Sequence, residues 1–219
     1  MKYFFFLFVS LAVLSCKKTE TTTPVIFSEA SYKMTVTMNW TSPQFAVPSG
    51  AHVTTIIGMI HSKDTSLWKE GTLASPGLED VAEVGNTIKM NAEIDPIITA
   101  FKALSKFQLA APSITGNVST LLKFNTAFSY ISFASMIAPS PDWFMGISNV
   151  NLLSNNKWVD SLTVNIKVYD AGTEDGNAFE YNNPSTLPQQ YVMPLTSASV
   201  LANGKTTVMP VATVRFVKN

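Results

Sequence analysis

The segment SLTVNIKVYDAG, residues 161–172, gives the strongest indication of how this chain folds. Its apolar side chains alternate with polar ones and fall at Leu162, Val164, Ile166 and Val168. Because alternate side chains of an extended strand point to the same face, this period of two predicts a half-buried β-strand. The strand then runs into Asp170 and Gly172, residue types that are typical of a turn.

The same alternation occurs elsewhere in the chain. It covers YKMTVTMNW, residues 32–40, and the C-terminal VATVRFVKN, residues 211–219, is rich in β-branched residues. Segments with several Pro, Gly and Asn residues, such as 41–50 and 181–190, separate the strands and are typical of turns and long loops. We therefore expect an all-β fold, an antiparallel β-sandwich with short helical insertions.

Two segments in the middle of the chain predict the helices. In SPGLEDVAEVG, residues 75–85, Ser75 is suited to the N-cap, Pro76 to the first helical position and Gly85 to the end. In DPIITAFKALSKF, residues 95–107, an Asp-Pro pair predicts a second helix start, and the apolar spacing places Phe101 and Leu104 on one face.

The composition limits the classes of partner. The chain has 15 basic and 15 acidic residues, so its formal net charge is zero, and 46% of its residues are hydrophobic. A basic surface for nucleic acid or for an anionic membrane is therefore not expected. The single cysteine, Cys16, excludes an intrachain disulfide and a cysteine-based metal cluster.

The first residues predict export. MKYFFFLFVSLAVLSCKKTE has a basic residue and an apolar run that is shorter than the ~20 residues needed to cross a bilayer, which is typical of a signal peptide. VLSC resembles a bacterial lipobox, so we expect residues 1–16 to be a lipoprotein signal with Cys16 as the lipidation site. We expect residues 17–29 to be a polar tether and 30–219 to be the folded domain. A plain secretory signal is the alternative.

Acidic residues are concentrated in the loop after the 161–170 strand. Asp170, Glu174 and Asp175 lie close together in sequence, among glycines that allow tight turns. Like charges repel, and a bound cation offsets that cost; oxygen ligands without His or Cys favour calcium over zinc or copper. A solvated acidic turn is the alternative on these residues alone.

A further acid, Asp142, lies in APSPDWFMG, residues 138–146, directly after an apolar run. The prolines at 139 and 141 disfavour a helix and a regular strand ladder there. If this segment ends a strand that neighbours the 162–168 strand, Asp142 and Asp170 meet at the end of the sandwich.

Two long motifs resemble a known family. MIAPSPDWFMGISNVNLL, residues 136–153, and KWVDSLTVNIKVYDAGTEDGNAF, residues 157–179, follow one another in the order found in the spondin N-terminal (F-spondin/mindin-type) domain family, with Trp158 as the intervening tryptophan. The resemblance extends from about residue 32 to the C-terminus. It implies an eight-stranded antiparallel β-sandwich with calcium held by Asp142, Asp170 and Glu174, where Glu174 replaces an aspartate and Asp175 is an alternative ligand.

From these features we expect a non-enzymatic, calcium-binding adhesion or recognition domain, lipid-anchored in the bacterial envelope, outer membrane or cell surface. Its partner would be an extracellular protein or glycan. One alternative is a carbohydrate-processing enzyme, which would need two carboxylates at a cleft, with Glu79, Glu83 and Glu93 as candidates. A purely structural envelope component is another alternative. The two histidines, His52 and His61, are expected to be structural, since no spacing links either one to a nucleophile or a third metal ligand.

Overall fold

The strands and helices lie within residues 27–219, which are the residues that the computed structural model describes. The predicted signal segment, Cys16 and most of the predicted tether lie outside them. The strands are β1 Glu29–Met38, β2 His52–Val53, β3 Ile56–His61, β4 Ala103–Leu109, β5 Asn117–Asn125, β6 Tyr130–Ala138, β7 Trp143–Asn151, β8 Leu153–Ser154, β9 Lys157–Trp158, β10 Ser161–Asp170, β11 Met193–Pro194 and β12 Ala212–Lys218. The helices are α1 Pro76–Val84, α2 Ile88–Thr99 and a 3-10 turn at Val200–Ala202.

Eight of these strands form one sheet that curls until it is nearly closed. Their order is β4-β3-β6-β7-β10-β12-β1-β5, and every neighbouring pair is antiparallel. β4 and β5 follow one another in the chain, yet they form the two free edges of the sheet. The predicted all-β, antiparallel, eight-stranded fold with short helical insertions is confirmed.

Strands β3 and β6 are buried on both faces, whereas β10 is not. All six residues of β3 and eight of the nine residues of β6 are buried. The helices cause this burial, because α1 and α2 cover the outer face of the sheet there. In β10, by contrast, Leu162 and Val164 alternate with exposed residues, and the two faces of that strand differ.

The apolar residues form two cores. One lies inside the curled sheet and contains large side chains such as Trp40, Phe124 and Phe216. The other lies between the sheet and the helices, where Leu78 and Val81 of α1 join Trp68 and Phe144. At ~25 cal/mol per Å² of buried apolar surface, these two layers are the main source of stability.

Helix α1 begins and ends at the predicted residues. The Ser75 hydroxyl accepts a hydrogen bond from the Leu78 amide (3.2 Å), and Gly85 ends the helix in the left-handed conformation, with φ of 67°. Glu93 of α2 also stabilises this start, because its carboxylate accepts bonds from the Ser75 hydroxyl and the Gly77 amide, both at 2.6 Å.

The second predicted helix was wrong in its bounds. Helix α2 begins at Ile88 and ends at Thr99, so Asp95 and Pro96 lie near its end, and residues 103–109 form β4. Pro96 removes one backbone donor, and the chain leaves the helix a few residues later through Phe101, whose φ is 54°. Phe101 is therefore 85% exposed instead of packing on a helix face with Leu104.

The two histidines lie in different environments. His61 is fully buried; its Nδ1 donates to the Ser62 carbonyl (2.9 Å) and its Nε2 lies 2.8 Å from the Ser132 hydroxyl. His52 is exposed and bonds the Gly50 carbonyl through Nδ1 (2.8 Å). The structure therefore gives His61 a structural role and does not bring the two side chains together.

Neither helix in residues 27–219 is both long and apolar enough to cross a membrane.

Candidate functional site

The predicted neighbours Asp142 and Asp170 lie at one end of the sheet, where β6, β7 and β10 finish or start. β7 pairs with β10 in a register that puts Asp170 opposite Trp143. The Ala171 amide also donates to the Asp142 carbonyl (3.1 Å), which extends the pairing beyond the strands. The two aspartates therefore lie on adjacent chain segments, which meets the condition under which the sequence analysis placed them together.

The turn between β6 and β7 holds Asp142 inside the protein. The Ser140 hydroxyl donates to the Ile137 carbonyl (2.6 Å) and accepts from the Trp143 amide (3.2 Å), which closes the turn. The Asp142 side chain is 0% exposed, in a chain that keeps few charged residues inside. A carboxylate in such a place needs hydrogen-bond donors or a counter-charge.

The two oxygens of Asp142 differ in their partners. Oδ2 accepts from the Thr173 amide (2.7 Å), the Glu174 amide (3.1 Å) and the Thr173 hydroxyl (3.3 Å). Oδ1 has no hydrogen-bond partner, and the neighbouring Trp143 indole nitrogen has none either. Asp142 thus fixes the start of the 170–176 loop through one oxygen and leaves the other unsatisfied.

Burial and mutual repulsion make this end of the sheet unfavourable for negative charge. Burial, followed by the charge of Asp142, raises the pKa of Asp170 to about 6, against a smaller opposing effect of the Gly172 amide that donates to it (2.8 Å). The pKa of Asp142 is also raised, chiefly by burial, despite the three bonds from Thr173 and Glu174. A bound cation would relieve both penalties.

The remaining predicted ligands lie on different sides of the loop. Asp170 lines a recess of about 270 Å³ with Trp143 and Gly176, and the charge of Asp175 contributes to its raised pKa. Asp175 itself accepts a bond from the Thr186 hydroxyl (2.6 Å). Glu174 lines a second recess of about 370 Å³, where burial and then the charge of Glu83 raise its pKa.

Asp170 and Glu174 therefore line different recesses beside the loop. Within residues 27–219, no group of three or more His, Cys, Asp or Glu side chains is placed to hold a metal ion. The unsatisfied Oδ1 of Asp142 and the neighbouring carboxylate of Asp170 nevertheless fit a hard cation that takes oxygen ligands.

The sequence did not indicate that Glu83 lies beside this site, whereas the structure places it next to Glu174. Glu83 lines the second recess together with Glu174. Burial raises the pKa of Glu83, and Glu79, Asp142 and Asp80 add to the effect. The available signal was its position in the last turn of α1, where a negative charge opposes the helix dipole.

The glutamates considered for an enzyme do not share one cleft. Glu93 is engaged at the start of α1 by Ser75 and Gly77. Glu83 faces the 170–176 loop at the other end of the same helix. The pair of opposed carboxylates that glycoside hydrolysis requires is therefore not formed by Glu83 and Glu93.

The fold and the two aspartate motifs define a family. The Spondin_N family model matches residues 30–205, and the chain belongs to this family. Among individual proteins, it is 34% identical to human spondin-2 over 179 residues, which is 78% of this chain and 54% of spondin-2. It is also 34% identical to mouse spondin-1 over 177 residues, 77% of this chain and 22% of spondin-1. The chain thus spans about half of the one relative and about a fifth of the other.

Proposed function

We propose that this chain is a non-enzymatic, calcium-binding adhesion or recognition domain. The observation that carries the proposal is Asp142, a fully buried carboxylate with one oxygen unsatisfied, next to a second carboxylate at Asp170. Calcium takes six to eight oxygen ligands in flexible geometry, so two aspartates with loop carbonyls and water suit it better than zinc.

In this proposal Asp142 and Asp170 hold the ion, and either Glu174 or Asp175 completes the site. The charges favour Asp175 as the neighbour of Asp170, whereas Glu174 interacts with Glu83 and Asp142. When bound, calcium supplies positive charge that offsets the repulsion among these carboxylates. Its role is structural, because it orders the 170–176 loop against the turn that carries Asp142.

The test compares melting temperatures with calcium and with a chelator. We expect calcium to raise the melting temperature of the wild type, and Asp170→Asn to remove the increase, because the variant keeps an acceptor for the Gly172 amide but loses the charge. Asp160→Asn is the control, since that side chain is 95% exposed and lies at the other end of β10. A wild-type melting temperature that does not respond to calcium would contradict the calcium proposal.

A recognition role is supported by membership of the Spondin_N family and by the meeting of the turn that carries Asp142 with the 170–176 loop at one end of the sheet. The partner in this proposal is an extracellular protein or a glycan. Binding of the purified chain to arrays of extracellular proteins and glycans tests it, and a purely structural component would bind none of them. Turnover of any glycan by the purified chain would contradict the non-enzymatic assignment.

We also propose that the protein is exported and anchored in the bacterial envelope through a lipid on Cys16. β1 is antiparallel to β12, and β12 to β10, so Glu29 and Asp170 lie at opposite ends of the sheet. An anchor before Glu29 would therefore leave the carboxylate end directed away from the membrane. Labelling with a radioactive fatty acid in a bacterial host tests this; the label should disappear in Cys16→Ser, and an unlabelled wild type would refute the anchor.

A further inference from the structure

Strands β5, β1, β12 and β10 are neighbours in the sheet, and their outer face is uncovered. In β1 and β12 every second residue is buried in the core inside the curled sheet, for example Met34 and Val214. The residues between them point to the opposite face, because side chains alternate along a strand. The two helices pack mainly on β4, β6 and β7, so they leave this face open.

The charges on this open face are all positive. Its outward residues include Lys33, Lys123, Lys167 and Arg215, which are exposed. No Asp or Glu occurs in the strand segments that form the face, 31–38, 117–125, 161–169 and 212–219. The formal net charge of zero did not indicate this cationic face, because the acids that balance it lie beside it, at Glu29 and Asp160, or in the helices and loops.

Arg215 is the only arginine of the chain, and it lies on the middle strands of the cationic face. The strand register places it opposite Thr35 on β1 and opposite Thr163 on β10. Lys33 is two residues from Thr35, so it is a diagonal neighbour of Arg215, and Lys123 of β5 is in turn a diagonal neighbour of Lys33. Such neighbours are about 7–8 Å apart. Three cations therefore form a line across three adjacent strands.

The side chains around this line do not neutralise it. Among residues 27–219, neither Lys33 nor Lys123 nor Arg215 forms a salt bridge. The neighbouring outward groups are hydroxyls, and those of Thr35 and Ser119 lie 3.0 Å apart. Like charges on neighbouring strands repel, so anionic groups bound along the line would stabilise it.

A recess of about 330 Å³ adjoins one end of the line. Lys123 and Ser31 of the cationic face line it together with Trp158, Lys218 and Glu29. The Trp158 ring is half-buried and held in place, since its indole nitrogen donates to a serine hydroxyl (3.0 Å). An aromatic ring beside polar groups can stack on the apolar face of a sugar, so this recess favours a carbohydrate over a simple anion.

We propose that the cationic face binds an anionic polysaccharide, with Arg215 holding a sulfate or carboxylate group. A guanidinium binds such a group through two parallel N–H bonds, and the threonine hydroxyls beside it can bond sugar hydroxyls. A polymer of anionic sugars can present one negative group to each cation of the line. This inference rests on the recognition role proposed above and names the class of glycan, and it does not involve the calcium site.

Other occupants fit the face less well. Leu121 and Val217 are the only apolar side chains among the outward residues of β1, β5, β12 and β10, and they lie within the plane of the sheet, so little apolar surface is available to enter a bilayer. A second copy of the chain, packed face to face, would bring like charges together.

The experiment measures binding of the purified chain to immobilised heparin, polygalacturonate and dextran by biolayer interferometry, with a chelator present. Heparin carries sulfate and carboxylate groups, polygalacturonate carries carboxylates, and dextran is uncharged. We expect binding to both charged polymers and none to dextran. The affinity for heparin should fall at least tenfold between about 50 and 300 mM salt, because salt screens exposed charges.

Variants locate the binding on the cationic face. Arg215→Gln should weaken heparin binding by about tenfold, and Arg215→Lys, which keeps the charge without the planar fork, should fall between that variant and the wild type. The matched control is Lys69→Gln, which removes one positive charge from an exposed position in the loop between β3 and α1 and should leave the affinity within about threefold.

Melting temperatures separate binding from folding. Arg215 is exposed, so Arg215→Gln should melt within about 3 °C of the wild type. Lys33→Gln combined with Lys123→Gln removes the other two cations of the line and leaves Arg215 in place. This double variant should also weaken heparin binding by about tenfold or more, and it tests the face if Arg215→Gln does not fold.

The outcomes are distinguishable. Equal heparin affinities of the wild type, Arg215→Gln and the double variant would overturn the inference. Tighter binding to phosphatidylglycerol vesicles or to polyglutamate than to either charged polysaccharide would assign the face to a membrane or an acidic protein segment and would also overturn it. If these probes fail but the protein and glycan arrays yield a partner, only this inference is overturned; if the arrays also fail, the recognition role is overturned with it. The chelator keeps all of these results independent of calcium.

Discussion

Asp142 provides the sharpest test of the reasoning about this site, through a comparison of Asp142→Ala with Asp142→Asn in calcium-free protein. The alanine removes the acceptor for the Thr173 and Glu174 amides, which donate at 2.7 and 3.1 Å inside the protein. The asparagine keeps one oxygen to accept these bonds and replaces the unsatisfied Oδ1 by an amide nitrogen. The two variants therefore remove the same charge, but only the asparagine keeps the hydrogen bonds from the Thr173 and Glu174 amides.

The magnitude follows from the number of donors. Each buried amide left without a partner costs about 1–3 kcal/mol, so two of them would destabilise Asp142→Ala by roughly 2–6 kcal/mol. The asparagine retains the bonds and loses a buried negative charge, so its free energy of unfolding should lie within about 1 kcal/mol of the calcium-free wild type. At about 2–4 °C per kcal/mol for a domain of this size, the two variants should melt roughly 4–24 °C apart.

The assay is urea unfolding followed by tryptophan fluorescence, with a chelator present, together with thermal melts in calcium. Asp142→Asn should show near wild-type stability without calcium and no gain when calcium is added, because an amide oxygen is a weaker ligand than a carboxylate. Equal stabilities of the alanine and asparagine variants would show that the amide bonds to Asp142 do not hold the loop. A full calcium gain in Asp142→Asn would refute its role as a ligand.

Two further predictions concern the sheet. Gly146→Ala should destabilise the protein by about 3 kcal/mol in urea unfolding, because its Cβ would lie 2.2 Å from the Phe133 carbonyl oxygen; a loss below about 1 kcal/mol would contradict this packing. Burial lowers the pKa of His61, so below pH ~6.5 the unfolded chain binds a proton that the native protein does not. The free energy of unfolding therefore decreases as the pH is lowered. The stability gap between the wild type and His61→Gln should therefore narrow from pH 7.5 to 5.5, and a constant gap would be evidence against the shift.

The contrast between the two helices shows how far local patterns can be trusted. Ser75, Pro76 and Gly85 act within a few residues of one another, so the start and end of α1 could be read from spacing. The Asp95-Pro96 pair has the same local pattern but lies near the end of α2. Helix α2 starts before this pair because Met90 and Ile94 pack in the core between the sheet and the helices. That packing joins segments that are distant in sequence.

The sequence predicted which acidic residues lie at this end of the sheet. From the residues alone, Asp142 and Asp170 were expected to meet only on the condition that their two strands are neighbours, and the pairing of β7 with β10 meets that condition. The family resemblance, which the Spondin_N match confirms, supplied the same pair. The separation of Glu174 from Asp170 could not be predicted, since it depends on which way each side chain leaves the loop.

Local patterns in the chain were therefore sufficient for the strands β1, β10 and β12, for the first helix and for the acidic loop, because these depend on neighbouring residues. The double burial of β3 and β6, the unsatisfied oxygen of Asp142 and the recess shared by Glu83 and Glu174 arise only in the folded chain. Each depends on groups more than 30 residues apart in sequence, which strand pairing and the packing of the helices on the sheet bring together.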